Sequence, residues 1–165
     1  PATNIYPMLE VPIRSDWVVV TPDPLSVELA MEWATTPACG AVVTFSGVVR
    51  DHSEDRFGVT AITYEAYEEV ATERLAAVVG EARERYEGIE RIAVWHRTGR
   101  LELSELSVLV VVSSAHRDVA FTAGRFVIDT LKVSVPIWKR EHWESGDDWA
   151  ESALPLRSNT HPGIN

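Results

Sequence analysis

The chain alternates short, dense apolar runs with segments whose apolar residues recur every three or four positions, a pattern that predicts strands interleaved with helices. Asp16-Trp-Val-Val-Val-Thr21 is rich in β-branched and aromatic residues and reads as a first strand. A turn at Thr21-Pro-Asp-Pro24 follows, then a helix expected over 25–35 with Leu25, Leu29 and Ala30 on one face, ended by Pro37 and Gly40. GAVVTFSGVVR, residues 40–50, is apolar enough for a central strand, and Gly47 inside it predicts a bulge or the close approach of another chain. The polar stretch 51–58 is expected to be a loop. VTAITYEAY, residues 59–67, alternates as a strand expected to pair with the preceding one, as a hairpin or close neighbour.

Residues 68–86 read as the longest helix, with Val70, Leu75, Ala76, Val78, Val79 and Ala82 expected inward and Gly88 closing it. Two strands, 89–96 and 106–114, are expected on either side of a turn at Gly99. A last helix opens at His116-Arg117, carries a stripe of Ala120, Ala123, Gly124, Val127, Ile128 and Leu131, and breaks at Pro136. Beyond it, 137–143 looks extended and Gly146-Asp-Asp-Trp149 looks like a turn into a last short element. The division expected is an N-terminal arm over 1–14, one α/β (α+β) domain over 15–151 with an antiparallel or mixed sheet and packed helices, and a loose tail over 152–165.

Composition narrows the function classes. At 165 residues and 45% apolar content, one domain with an ample core is expected. A net charge of -10 argues against a nucleic-acid binder, yet leaves room for a local basic pocket that draws in a small anion. The single cysteine, Cys39, excludes an intramolecular disulfide and a multi-cysteine zinc site, fits a reducing compartment, and is expected as a small buried residue ahead of a strand. The longest strongly apolar run, Leu106 to Val112, falls far short of the ~20 residues that span a bilayer. No basic-then-apolar signal pattern opens the sequence, so a soluble cytoplasmic protein is the expectation. Walker, dinucleotide-binding, HExxH, EF-hand and nucleophile-elbow patterns are absent from the sequence, and no metal or cofactor is expected.

Candidate chemistry concentrates in Ser113 to Glu141. Of fifteen Lys plus Arg residues only Lys132 and Lys139 are lysines, and both fall there. An ammonium, unlike guanidinium, can give up its proton and act as base or nucleophile. With His116, Arg117 and Arg140 the segment resembles a pocket for an anionic substrate. Arg50, where a buried strand meets a loop, suits either an anion or a salt bridge. His52 reads as a solvated loop residue, and His96 with Arg97 as strand-end hydrogen-bonders that could line a site.

The stretches GAVVTFSGVVRDH, SSAHRDVAFTAGRFVIDTLKVSVPIWKRE and GDDW resemble the large, catalytic subunit of molybdopterin synthase, over about residues 15–151. The resemblance implies an α/β hammerhead fold and a homodimer within a heterotetramer. The other partner would be a small ubiquitin-like sulfur-carrier subunit ending in a Gly-Gly thiocarboxylate. It implies insertion of two sulfurs into cyclic pyranopterin monophosphate, precursor Z, to form the dithiolene of molybdopterin. Carried over by position, Val48, Val49 and Arg50 match the first substrate-binding segment, His116 and Arg117 the second, and Lys139, Arg140 and Glu141 the third. Lys132 matches the principal catalytic lysine, with Lys139 assisting. Two positions depart from the pattern: many relatives have lysine at Val48, and a basic residue near Ala153, for which Arg157 could substitute. A non-enzymatic module that docks the carrier or holds a pterin is the competing reading.

Geometry adds two expectations. If His116 and Lys132 end one continuous helix, sixteen residues set them about 24 Å apart, too far to touch one small pterin. Each pocket is therefore expected to take Lys132 and Lys139 from one protomer and His116-Arg117 from its partner. Strand alternation also puts Lys139 and Arg140 on opposite faces, so that one of them serves the dimer or the carrier instead.

Overall fold

A computed structural model describes residue 12 and residues 15–53 and 56–149. The arm, the tail, Ala153 and Arg157 lie outside the described residues apart from residue 12. The elements run β1 (Asp16–Thr21), α1 (Val27–Ala34), β2 (Ala41–Val48), β3 (Val59–Ala66), α2 (Glu68–Arg85), β4 (Ile89–Arg97), β5 (Gly99–Glu102), β6 (Leu106–Ser114), α3 (Arg117–Ser134), β7 (Ile137–Trp143) and β8 (Gly146–Trp149).

Two four-stranded sheets result. The first has the order β1-β4-β6-β2, with β1 parallel to β4 and the other pairs antiparallel; the second, β5-β3-β7-β8, is antiparallel throughout. The first sheet is covered on both faces, which is why β4 and β6 read as nearly unbroken apolar runs. Alternate residues Ile92, Val94, Val108, Val110 and Val112 meet α2 and α3, while Ala93, Trp95, Leu109 and Val111 meet α1 and Trp17. Trp95 is fully buried, its ring centroid 4.7 Å from Trp17 in an edge-on contact. The helix α1 is started by Ser26, whose Oγ accepts from Leu29 N at 3.1 Å, a cap whose loss costs about 1 kcal/mol.

Helix α3 buries the stripe its sequence announces, Ala120, Ala123, Gly124, Val127, Ile128 and Leu131, against β2 and β6. A methyl at Gly124 would stand 3.8 Å from Val43 and Val112, ordinary contact, so no close approach demands glycine there. Helix α2 is rotated from expectation. Its buried line is Ala71, Leu75, Val78, Val79 and Ala82, while Val70 and Ala76 face solvent, since Ala71 sits in phase with Leu75 and Val78.

Four local expectations are corrected. Strands β2 and β3 do not form a hairpin: β2 pairs with β6 and β3 with β5 and β7, so 49–58 carries the chain from one sheet to the other. The segment 99–102, expected within a connection, is strand β5, and Gly146–Trp149 is itself strand β8, paired to β7. Cys39 is half-buried; its thiol donates to Thr36 O at 3.2 Å and accepts from Thr36 N, closing a turn. At Gly47 the anticipated bulge is present, and the close neighbour is β6 of the same chain rather than another chain. The β2–β6 register shifts between Gly47 and Val48, and a Cβ on Gly47 would lie 2.5 Å from Val108 Cγ1.

Candidate active site

Between the two sheets, under the C-terminal end of α3, lies a cavity of about 910 Å³ that opens to solvent. Its walls come from separate parts of the chain: Phe45, Gly47 and Val48 of β2, Ile62 and Tyr64 of β3, His96 of β4, Ser107 and Val108 of β6. Leu131 and Lys132 of α3, Lys139 and Glu141 of β7, and Asp148 and Trp149 of β8 complete it with the loop residues Arg50, His52, Ser53 and Arg56.

The structure thus brings Val48, Arg50, Lys132, Lys139 and Glu141 to one space. Four cations, Arg50, Arg56, Lys132 and Lys139, line it, and such a concentration favours an anionic ligand in an acidic protein. No ion pair to Arg50 or Lys132 forms among the described residues. Lys139 differs. Its Nζ stands 3.0 Å from Glu141 Oε1, on the same face of β7 two residues on, and Ser53 Oγ donates to Glu141 Oε2 at 3.1 Å. Glu141 is the one buried residue of β7. Burial raises its carboxyl, but Lys139, with smaller help from Ser53 and Arg56, outweighs that and holds it below the usual carboxylate range.

Other candidates lie elsewhere. Val49 is 3% exposed and not on the cavity wall, packed with Val59, Ile62 and Leu101, its N–H and carbonyl bonded to Glu105 and Ser104 of the turn after β5. Arg140 is on the opposite face of β7 from Lys139, its Nε 2.7 Å from Asp147 Oδ1 in an ion pair whose N–H does not align as a hydrogen bond. His116 holds the N-cap position of α3 without a capping side-chain bond and Arg117 is its first residue, both exposed and neither on the cavity wall. Because α3 runs unbroken over 117–134, the separation expected from sequence stands in the structure.

Several cavity residues were not anticipated from sequence. Arg56 stacks its guanidinium 3.7 Å above the Trp143 ring, which fixes one face of the group. His52 does sit in an exposed loop, its Nδ1 2.7 Å from Asp51, but it also lines the cavity and stacks near Phe57. Tyr64 stands edge-on to His96 at 5.1 Å, and burial raises its phenol, so the hydroxyl keeps its proton. Only the inward alternation of Ile62 and Tyr64 along β3 could have signalled Tyr64 from sequence. Arg97, beside His96, turns away to Glu105, 3.2 Å from its Oε1.

A family model described as MoaE protein matches residues 20–134. The molybdopterin synthase catalytic subunit of Escherichia coli (strain K12) is 44% identical over 136 residues, covering 82% of this chain and 89% of that protein. The crystal structure of molybdopterin synthase from Staphylococcus aureus matches with a TM-score of 0.74 at 35% identity, over 84% of this chain and 98% of that one. A protein–protein complex of subunits 1 and 2 of molybdopterin-converting factor from Helicobacter pylori 26695 shares the fold, with a TM-score of 0.66 at 20% identity over 84% of this chain and 91% of that one.

Proposed function

The chain belongs to the MoaE protein family, the molybdopterin synthase catalytic subunits, enzymes of molybdenum cofactor biosynthesis, and from that premise we propose what its cavity does. It takes cyclic pyranopterin monophosphate and moves two sulfurs onto it from the thiocarboxylate of a small ubiquitin-like carrier subunit. The observation that carries this reading is the meeting of both lysines of the chain, from α3 and β7, on one cation-lined cavity. A pure docking surface has no need of titratable cations where arginine would serve.

The surroundings of the two lysines support a division of labour. Lys139, tied to Glu141, suits a fixed positive charge that stabilises negative charge developing on the substrate as its ring opens. Lys132, exposed and without an ion-pair partner among the described residues, suits the proton shuttle or transient acyl acceptor at the carrier's terminal carbonyl. Arg50 holds the phosphate, with Arg56 available beside it. Partnership with a small subunit is supported by the two-subunit complex of the Helicobacter pylori fold relative.

His116 and Arg117 enter the same scheme from a second copy of the chain. At the far end of an unbroken α3 they cannot reach their own cavity, so the pocket is completed by the partner protomer, with helix-end amides reinforcing the anion site. Mixing two inactive proteins, Lys132→Ala and Arg117→Ala, should restore part of the activity; no recovery in confirmed mixed dimers would refute a shared pocket.

The deciding assay mixes the protein with thiocarboxylated carrier and precursor Z and follows dithiolene formation. Lys132→Ala should lower turnover by about a hundredfold or more while dimerisation and carrier binding persist. Absence of turnover by the unaltered protein, with carrier binding intact, would favour a docking module instead.

A further inference from the structure

The cavity is dense in cationic donors, and of its two carboxylates Asp148 stands on the exposed edge strand β8. Arg50, Arg56, Lys132 and Lys139 have no lone pair to offer, and both carboxylate oxygens of Glu141 are engaged, by Lys139 and Ser53. A pterin, however, presents ring and exocyclic N–H groups as well as oxygens, and a buried N–H left unpaired costs binding.

His96 adds an uncharged acceptor in the buried part of the wall. It lies near the end of β4, opposite Val108 of β6 and beside Val20 of β1, so its backbone is held from both sides. The side chain is 6% exposed and forms part of the cavity wall. Its Nδ1 stands 2.7 Å from the carbonyl oxygen of Arg97. A carbonyl only accepts, so Nδ1 carries the proton, and in a neutral ring the lone pair then belongs to Nε2. No protein group bonds that atom among the described residues, and the ring is part of the cavity wall. Burial keeps the ring neutral, moving its pKa down to about 4 against the opposing hydrogen bond to Arg97. The Tyr64 ring, edge-on at 5.1 Å, fixes the imidazole plane from one side.

We infer that His96 Nε2 accepts a hydrogen bond from an N–H of the pterin, making His96 a substrate-binding residue that sets the orientation of the ring in the cavity. The inference rests on the pterin reading of the site and goes beyond it by assigning one uncharged acceptor. It differs from a purely structural His96 in which of the two ring nitrogens matters.

Two substitutions separate those nitrogens. His96→Asn keeps a donor close to the Nδ1 position and removes the acceptor; His96→Gln keeps a polar group close to Nε2 and removes the donor. In the sulfur-transfer assay, His96→Asn should raise KM for precursor Z about tenfold with a smaller change in kcat, and His96→Gln should stay within about threefold of the unaltered protein. The reverse order, or no change in either, overturns the inference. A second measurement needs no variant: in long-range proton–nitrogen spectra of histidine-labelled protein, the His96 Nε2 resonance should be of the unprotonated type and should shift on saturation with precursor Z. A protonated Nε2, or one that stays in place while substrate binds, overturns it. If the unaltered protein binds and turns over precursor Z and only the His96 effects are absent, the inference fails alone. If it binds no pterin, the functional reading fails and the inference with it.

Discussion

Eight of the nine residues of β6 are buried, whereas in β7 only Glu141 is, although each strand belongs to a sheet of four. The contrast follows from what covers them. All three helices pack on β1, β2, β4 and β6, so side chains of that sheet alternate between two closed cores. The second sheet has a small cluster of Val49, Val59, Ile62 and Leu101 and then opens onto the cavity. Its partly exposed strand can hold Lys139 and Glu141 facing a ligand; a strand in the position of β6 would have to bury them at a cost of several kcal/mol per charge. Here the larger cores lie on the first sheet, the cavity forms where the two sheets meet, and His96 stands at that junction.

The contrast is tested most severely by Trp95→Ala. Emptying the aromatic core with Trp17 should cost about 3–5 kcal/mol and lower the unfolding midpoint for the whole domain, as urea denaturation would show. A loss below about 1 kcal/mol would mean that the first sheet is not the main source of stability.

Next in size is a pH effect at the junction. The His96 imidazole takes up its proton near 4 in the folded chain and near 6.5 when unfolded. Between those values the unfolded chain binds more protons. The contribution is therefore complete above about pH 6.5 and is lost as pH falls through 4, by at most about 3 kcal/mol. Denaturation of the unaltered protein and His96→Asn at pH 7, 5.5 and 4.5 should show the two stabilities converging toward the acid end. A constant difference across the series would contradict the assignment.

Smallest in stability is Glu141→Gln in the second sheet. It should cost about 1 kcal/mol in folding, since Lys139 is partly exposed on the cavity wall, yet lower sulfur-transfer turnover about tenfold by releasing Lys139 from its partner. Turnover that tracks stability would remove the distinction between the sheets.

The same division decides how much could be read beforehand. The stripe of α3, from Ala120 to Leu131, and the apolar runs of β4 and β6 were legible because helices and a doubly covered sheet impose strong periodicities. In α2, alanines lie on both flanks of the true stripe, so Val70 and Ala76 looked equivalent to buried positions until Ala71 and Val78 fixed the phase. Strand partners were not legible. Alternation in 59–67 identifies a strand but not its sheet, and proximity in sequence wrongly suggested a β2–β3 hairpin. Within the site, Lys132, Lys139 and Arg50 declared themselves by residue type at element ends. Arg56, Ser53 and Tyr64 did not, because their approach to Glu141 or His96 depends on long-range folding rather than spacing.

The bond from His96 to Arg97 has a consequence for how such a site tolerates change. Its acceptor is a main-chain oxygen, so no exchange of a neighbouring side chain deletes it, and even replacement of Arg97 leaves the carbonyl in place. The proton's position on the ring is thereby inherited with the strand itself. Loops and walls around the cavity are free to drift and retune what they admit, while the floor keeps offering the same lone pair.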